Sequence, residues 1–386
     1  MTDADVTGAA MTISDFAYQA LPMRVRFGAG SVGSLRDELE LLGLRRVLVL
    51  CSPGQRHIGE SVASALGEYS VGLRAEAVVH VPVRVADSAG AAAVTSGADG
   101  CVTVGGGSAI GLGKAVALRH GMPVVAVPTT YAGSEMTSVW GLTANGRKET
   151  GRDPKVLPRS VIYDPELTVG LPVGVSVTSG INAIAHAVEA LYAPDATPIS
   201  SLMAEEGVRA LAEALPVIVA DGADVDGRRQ ALYGGWLCGA ALGATTMSLH
   251  HSLCHVLGGT LNLPHSGTHS VVLPYVLAFN EAHAPTASAA LSRALGVASS
   301  PADRLWHLAR ELGAPTSLAE LGMDPRDIDR IVLEVTERPY GNPHPFTQDS
   351  LRDLVSAAWS GKWPLCSLAP RPSPAPDSDS RRRLPQ

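Results

Sequence analysis

No apolar run in this chain approaches the ~18 residues that a bilayer-spanning helix needs, so no membrane span is expected. Cysteine is scarce. Cys51, Cys101, Cys238, Cys254 and Cys366 are odd in number, scattered, and form no CxxC pair, which argues against a disulfide framework or a structural zinc site. A basic surplus is also missing: 30 Lys and Arg stand against 37 Asp and Glu, a formal net charge of −7, so nucleic acid is not an expected partner. Met1–Ser14 holds acidic residues and no basic residue ahead of a hydrophobic region, unlike a signal peptide, and the expected location is the cytoplasm. What the chain does have is apolar material. At 46% apolar and 17% charged, its 386 residues suffice for a packed core and roughly two domains.

The two halves have different hydrophobic periods. In residues 15–165, short apolar runs at Arg45–Cys51, Ala77–Val83, Gly100–Val104, Pro123–Val127 and Arg159–Tyr163 read as strands. Leu35–Leu42, Glu60–Leu66 and Gly111–His120 read as helices between them. Continuous apolar strands alternating with helices predict an α/β dinucleotide-binding domain around a parallel sheet. From residue 166 to 365 the period is 3.6, which predicts an all-α substrate and catalytic domain. Its expected helices are Val175–Tyr192, Ile199–Val219, Gly227–Leu257, His269–Ala284, Ala287–Leu295, Ala302–Leu312, Asp324–Glu337 and Gln348–Trp359. Residues 1–14 are expected to be flexible. The Pro-, Ser-, Asp- and Arg-rich residues 366–386 are expected to be a disordered tail.

Three groups of residues carry chemistry. Gly105-Gly106-Gly107-Ser108 lies between a predicted strand and a predicted helix. Glycines there let a phosphate reach the backbone, and the helix N-terminus offers free N–H groups and a favourable dipole. This is not the GxGxxG fingerprint, so the pyrophosphate site need not follow the standard Rossmann layout. Pro128-Thr129-Thr130-Tyr131-Ala132-Gly133-Ser134-Glu135-Met136-Thr137 follows another strand, with hydroxyls suited to a ribose, a phosphate or a nicotinamide amide, or simply to capping a turn. The third group is Asn182, His186, His250, His251, His255, His265 and His269, in which Asn182 and His186, like His251 and His255, are spaced to share a helix face. Asn182 matters most. A metal site of Asp–His–His–His type wants a carboxylate there, and the isosteric amide removes one negative charge beside the ion. Three histidines can still hold zinc, so the amide weakens the metal case without closing it.

These residues resemble the iron-containing (group III) alcohol dehydrogenase superfamily. Phe27-Gly28-Ala29-Gly30, the GGGS at 105–108, PTTYAGSEMT at 128–137, Asp164-Pro165, SGINAIAHAVEALY at 179–192 and HSLCHVLGGTLNLPH at 251–265 stand in that family's order and spacing. Within it, CSPGQ at 51–55, GRDPKVLPRSVIYDP at 151–165, Asn182 and His269 resemble the maleylacetate reductase branch. The resemblance implies a dehydroquinate synthase-like fold, NADH or NADPH in the cleft between the halves, a small dicarboxylate enone as substrate, and a homodimer. It implies Gly106, Gly107 and Ser108 on the pyrophosphate, Thr129, Thr130 and Thr137 beside the nicotinamide, and Lys148 near the cofactor. Metal-dependent relatives bind metal at the positions of Asn182, His186, His251 and His265, and His255 faces their substrate.

Some positions depart from the pattern. Gly111 replaces a common aspartate. Ser52 stands where NAD-selective relatives carry an acid for the ribose 2′-hydroxyl, so discrimination between NADH and NADPH should be weak. Tyr275 and His344 replace the branch's usual histidine and arginine. The expected activity is reduction of the enone C=C of maleylacetate to 3-oxoadipate, a late step in aromatic-compound breakdown, with no metal required. His255 is the expected proton donor, supported by His251, while His186, His265 and Asn182 shape the pocket. Arg152, Lys155 and Arg159 are candidates for attracting carboxylates. The rival readings are a metal-dependent alcohol dehydrogenase, a reductase of a related enone or keto acid in secondary metabolism, a non-catalytic nucleotide binder, and a dehydroquinate synthase-like lyase.

Overall fold

The computed structural model describes residues 15–144, 147–337 and 341–363. The expectations for residues 1–14 and 366–386 lie outside the described residues.

The first half builds β1 (Arg24–Phe27), α1 (Leu35–Leu41), β2 (Val47–Cys51), α2 (Arg56–Leu66), β3 (Ser70–Ala75), α3 (Val83–Thr95), β4 (Gly100–Gly105), α4 (Gly107–His120) and β5 (Val124–Pro128). The hairpin β6 (Val139–Ala144) and β7 (Arg147–Arg152) and the last strand β8 (Ser160–Tyr163) follow. Six strands form one sheet in the order β1-β8-β5-β4-β2-β3, all pairs parallel. The central strands β2, β4, β5 and β8 are buried at every position, as their unbroken apolar runs require.

The chain leaves β2 for β3 on one side and returns to β4 on the other. That reversal opens a crevice beyond the C-terminal ends of β2 and β4, where open α/β sheets bind ligands. Ser52 leaves β2 and Gly106–Ser108 leave β4 at this point.

The expected strand Ala77–Val83 is a loop that runs into α3 at Val83, and the third strand is Ser70–Ala75 instead. His80 and Val81 hold positive φ angles of 63° and 42°, which no strand tolerates. Thr143 pins this loop, donating from its N–H to the Val81 carbonyl (3.1 Å) and from its hydroxyl to the His80 carbonyl (2.8 Å).

The second half is helical: α5 (Val173–Tyr192), α6 (Pro198–Ala220), α7 (Val225–Gly243), α8 (Leu249–Leu261), α9 (His265–Asn280), α10 (Pro285–Leu295), α11 (Pro301–Glu311), α12 (Ile328–Thr336) and α13 (Gln348–Ser360). The single helix expected over Gly227–Leu257 is two, broken at Ala244–Ser248. Side chains from elsewhere satisfy the break: the Thr246 N–H donates to Asp195 (2.9 Å) and the Ser248 N–H to Glu189 (2.9 Å). Helix α9 begins at His265, one turn earlier than its apolar pattern suggests.

The halves meet through glycine. Gly133, at φ 71°, lies against Gly239 of α7, where a Cβ would sit 2.7 Å from the Gly133 Cα and carbonyl oxygen. Gly239→Ala should therefore destabilise the protein by about 1–3 kcal/mol, although alanine is the better helix former. The clash is with backbone that cannot rotate away. A Tm equal to the parent's would show that the loop yields freely.

Candidate active site

A cleft of about 640 Å³ lies between the sheet's crevice and the helical half. On the sheet side it is lined by Ser52, Gly106, Gly107, Ser108, Thr130 and Thr137, and on the helical side by Asn182, His186, His251, His255 and His265. The structure thus brings together most of the sequence-derived site. Thr129 stands behind this wall, buried and hydrogen-bonded through its hydroxyl to Gln55. Lys148 pairs with Thr143 through the hairpin backbone, and its side chain lies outside the described residues.

The glycines meet specific steric demands. A Cβ on Gly106 would lie 2.8 Å from the Thr130 methyl. Next to Gly107 the nearest atom is the Ser134 hydroxyl at 3.9 Å, so its face is open to a ligand. Helix α4 starts there without a side-chain cap, leaving first-turn N–H groups for an anion. Gly111 faces Val81, whose methyl would sit 2.8 Å from an added Cβ. The strained loop thus occupies the space that an aspartate at 111 would need.

Lys114, unnoticed in the sequence, lies beneath this cradle. Its Nζ donates to the carbonyls of Ser134 (2.6 Å), Thr137 (2.8 Å) and Val139 (2.8 Å) and to the Thr137 hydroxyl (3.0 Å). It clamps the hydroxyl-rich segment onto α4. Burial pushes its ammonium down to about 7, opposed by the charge of Glu135. Burial likewise raises Glu135, which accepts a 2.6 Å hydrogen bond from the Tyr163 hydroxyl.

On the helical side, α5 presents Ser179, Asn182, His186 and Glu189 along one face, the stripe that i, i+3, i+4 spacing produces. Glu189 organises the rest. Fully buried, it accepts from His251 Nδ1 (2.6 Å) and from the backbone N–H groups of Ser248 (2.9 Å), His250 (2.7 Å) and His251 (3.4 Å). Its burial raises the carboxyl pKa, but the His251 imidazole and the Ser248 N–H outweigh burial and hold it below the usual range. Sequence reasoning missed this role, although the i, i+4, i+7 spacing of Asn182, His186 and Glu189 carried the signal. Because His251 Nδ1 faces a carboxylate, its hydrogen belongs on Nδ1. Nε2, on the other side of the ring, is buried and without a hydrogen-bond partner.

The other imidazoles crowd around it. Ring centroids of His186 and His251 are 5.0 Å apart, those of His251 and His269 5.1 Å, and those of His265 and His269 4.3 Å. Burial, then the neighbouring imidazoles, lower His186 and His269 well below the usual histidine range, and burial with His251 lowers His250 to about 4. Asn182 Oδ1 is buried without a hydrogen-bond partner. Donor atoms of His186, His251 and His269 lie within 4.8 Å of one another, so these three imidazoles could hold a divalent ion.

The remaining sequence candidates stand elsewhere. Arg152 is exposed and donates to the Thr245 carbonyl (2.8 Å), and Lys155 and Arg159 are exposed outside the cleft lining. Tyr275 is buried in a second core beside Leu253 and Val276, and His344 stacks on His283 (3.8 Å) and Phe279 (4.2 Å). Neither lines the cleft, so both departures act on packing.

Comparison with known proteins yields two family matches. Residues 22–165 match iron-containing alcohol dehydrogenase, and residues 176–359 match the Fe-containing alcohol dehydrogenase family, C-terminal. The maleylacetate reductase of Pseudomonas sp. (strain P51) is 50% identical over 350 residues, 91% of this chain and 99% of the relative. Among solved structures, the maleylacetate reductase from Agrobacterium tumefaciens superposes with a TM-score of 0.88 at 49% identity, over 91% of this chain and 100% of that one. The corresponding enzyme from Rhizobium sp. strain MTP-10005 gives 0.87 at 48% identity, over 91% and 100%.

Proposed function

The chain belongs to the iron-containing alcohol dehydrogenase family, and from that premise we propose that it reduces maleylacetate to 3-oxoadipate with a nicotinamide cofactor. One observation carries the reading: a glycine-lined anion cradle and a cluster of imidazoles face the same cleft. We assign the first domain to residues 15–165, the second to 166–365, and a homodimer as the assembly.

The cofactor fits the cradle. Gly106, Gly107, Ser108 and the α4 N-terminus would hold its pyrophosphate, with Thr130 and Thr137 farther along the same wall. Ser52, at the end of β2, carries no charge to exclude a 2′-phosphate, so both NADH and NADPH serve. Bound there, the nicotinamide supplies a hydride.

The substrate's ketone activates its conjugated double bond. Hydride enters the alkene carbon remote from the ketone, the electron pair moves to the ketone oxygen as an enolate, and a proton is delivered to the carbon beside the ketone. His255, half-buried on the cleft wall, donates that proton or holds the enolate oxygen. The Nδ1 hydrogen of His251 is committed to Glu189. His251 therefore positions and shapes, with His186 and Asn182 bordering the substrate. The uncapped first turn of α9, with His265 and Ser266 in the cleft wall, takes a substrate carboxylate.

A divalent ion held by His186, His251 and His269 would supply Lewis-acid polarisation of a carbonyl. An enone needs none, since its own conjugation stabilises the developing charge. Asn182 in place of a carboxylate is consistent with that chemistry. Oxidation of NADH and of NADPH should accompany maleylacetate reduction, and dialysis against EDTA should leave the rate unchanged. Activity lost to the chelator and restored by zinc or iron would overturn the metal-free reading.

A further inference from the structure

The hydroxyls that line the cleft after β5 are not equally free. Thr137 Oγ1 accepts from Lys114 Nζ (3.0 Å) and from the Val139 N–H (3.3 Å), and donates to the Ser134 carbonyl (3.1 Å). A hydroxyl has one hydrogen and two lone pairs, so nothing of Thr137 is left for a ligand. Ser134 is the opposite case. Its carbonyl is held by Lys114 (2.6 Å), yet its own hydroxyl oxygen is buried in the cleft wall without a hydrogen-bond partner. That oxygen is the atom nearest the open face of Gly107, 3.9 Å from where a Cβ would stand. A buried hydroxyl left unpaired costs free energy until a ligand supplies its acceptor. Lys114 makes this division. From α4, about two turns beyond Gly107, it commits its three N–H groups to the carbonyls of Ser134, Thr137 and Val139 and to the Thr137 hydroxyl. It thus ties the helix whose N-terminus forms the cradle to the segment that carries Ser134.

We propose that Lys114 is a positioning residue of the cofactor site: by fixing Thr137 and the carbonyls of residues 134, 137 and 139 it aims the Ser134 hydroxyl at the Gly107 face, where that hydroxyl donates to a diphosphate oxygen of the cofactor. The proposal rests on the nicotinamide-dependent reading above. Thr137 serves the clamp and Ser134 serves the cofactor. The first-turn N–H groups of α4 and the Ser134 hydroxyl then converge on one anion. Without the clamp, the segment that carries Ser134 would have to be ordered at each binding event, which weakens affinity. Lys114 acts through Ser134 rather than on the diphosphate itself, and this separates a positioning role from a direct contact.

The test is NADH binding to the full-length parent, K114M, S134A and the double variant, read by nicotinamide fluorescence without substrate. Lys114→Met should raise the NADH Kd by at least about tenfold, and Ser134→Ala by about three- to tenfold. Because the lysine acts through the serine, the double variant should bind no more weakly than Lys114→Met, within about twofold. The maleylacetate KM at saturating NADH should stay within about twofold of the parent in each variant, whereas a general structural defect would move both constants. Removing a buried ammonium strands three carbonyls and can cost folding, so near-ultraviolet circular dichroism must match the parent. Ser134→Ala leaves the clamp intact, and an unchanged NADH Kd in it overturns the proposal whether or not Lys114→Met folds. Additive losses in the double variant, or a rise in the maleylacetate KM equal to that in the NADH Kd, would also overturn it. The parent separates this inference from the reaction assigned above. NADH binding without maleylacetate turnover would refute that reaction and leave the Kd comparison decisive here. A parent that binds no NADH would refute both.

Discussion

His255→Ala is expected to lower kcat by about 10²–10⁴-fold, the usual contribution of a positioned proton donor, while nicotinamide affinity changes little. His255 sits on α8 one turn beyond His251, its ring 6.2 Å away and at 85° to it, in the wall of the cleft that also holds Gly106–Ser108. His251 is held on its far side by Glu189. His251→Ala lowers kcat too, but His255→Ala also removes the ionisable group that controls the proton step. The pH profile of kcat should then lose one limb in H255A and keep it in H251A. An unchanged kcat in H255A would take this residue out of the mechanism.

The second large effect is acid sensitivity of the chelator-treated enzyme. His186, His250 and His269 are buried and held neutral, with His250 at about 4 against 6.5 unfolded. A folded pKa below the unfolded one means that the unfolded chain binds protons first as the pH falls. Stability is therefore full above pH 6.5, drops as the pH passes below it, and for His250 stops dropping near pH 4. At pH 5 His250 alone should cost about 2 kcal/mol, and the other two rings act in the same direction. Glu189, held below its usual range, contributes stability above about 4.5 that is lost only below that. The loss between pH 7 and 5 is thus an imidazole effect, and H250Q should reduce it by about 2 kcal/mol. Equal urea midpoints at pH 7.5 and pH 5 in the parent would refute neutral burial of these rings.

Where sequence reading failed, the failures share a cause. The edge strands β1 and β3 went unnoticed because their exposure alternates or stays intermediate, so they lack the unbroken apolar run of a central strand. The run at 77–83 has that pattern yet forms the cleft wall, with Val79 67% exposed, because the Thr143 contacts bend it away from the sheet. The α7–α8 break was invisible because the acceptor for its N–H groups, Glu189, is supplied by another helix.

From the sequence alone came the two architectures, the central strands, the glycine turn after β4, the histidine cluster and the amide at 182. Each is a property of a contiguous segment: an apolar period, a run of glycines, or two residues four apart on one helix. The tertiary structure alone decided which imidazoles face one another, that His269 lies deeper than His265, that Glu189 fixes His251, and that Lys114 clamps the opposite wall. These depend on pairs such as Glu189 and His251, 62 residues apart. Local propensity carries no information about such distant partners. Packing chooses them, by leaving each buried polar group the partner that desolvation makes it need.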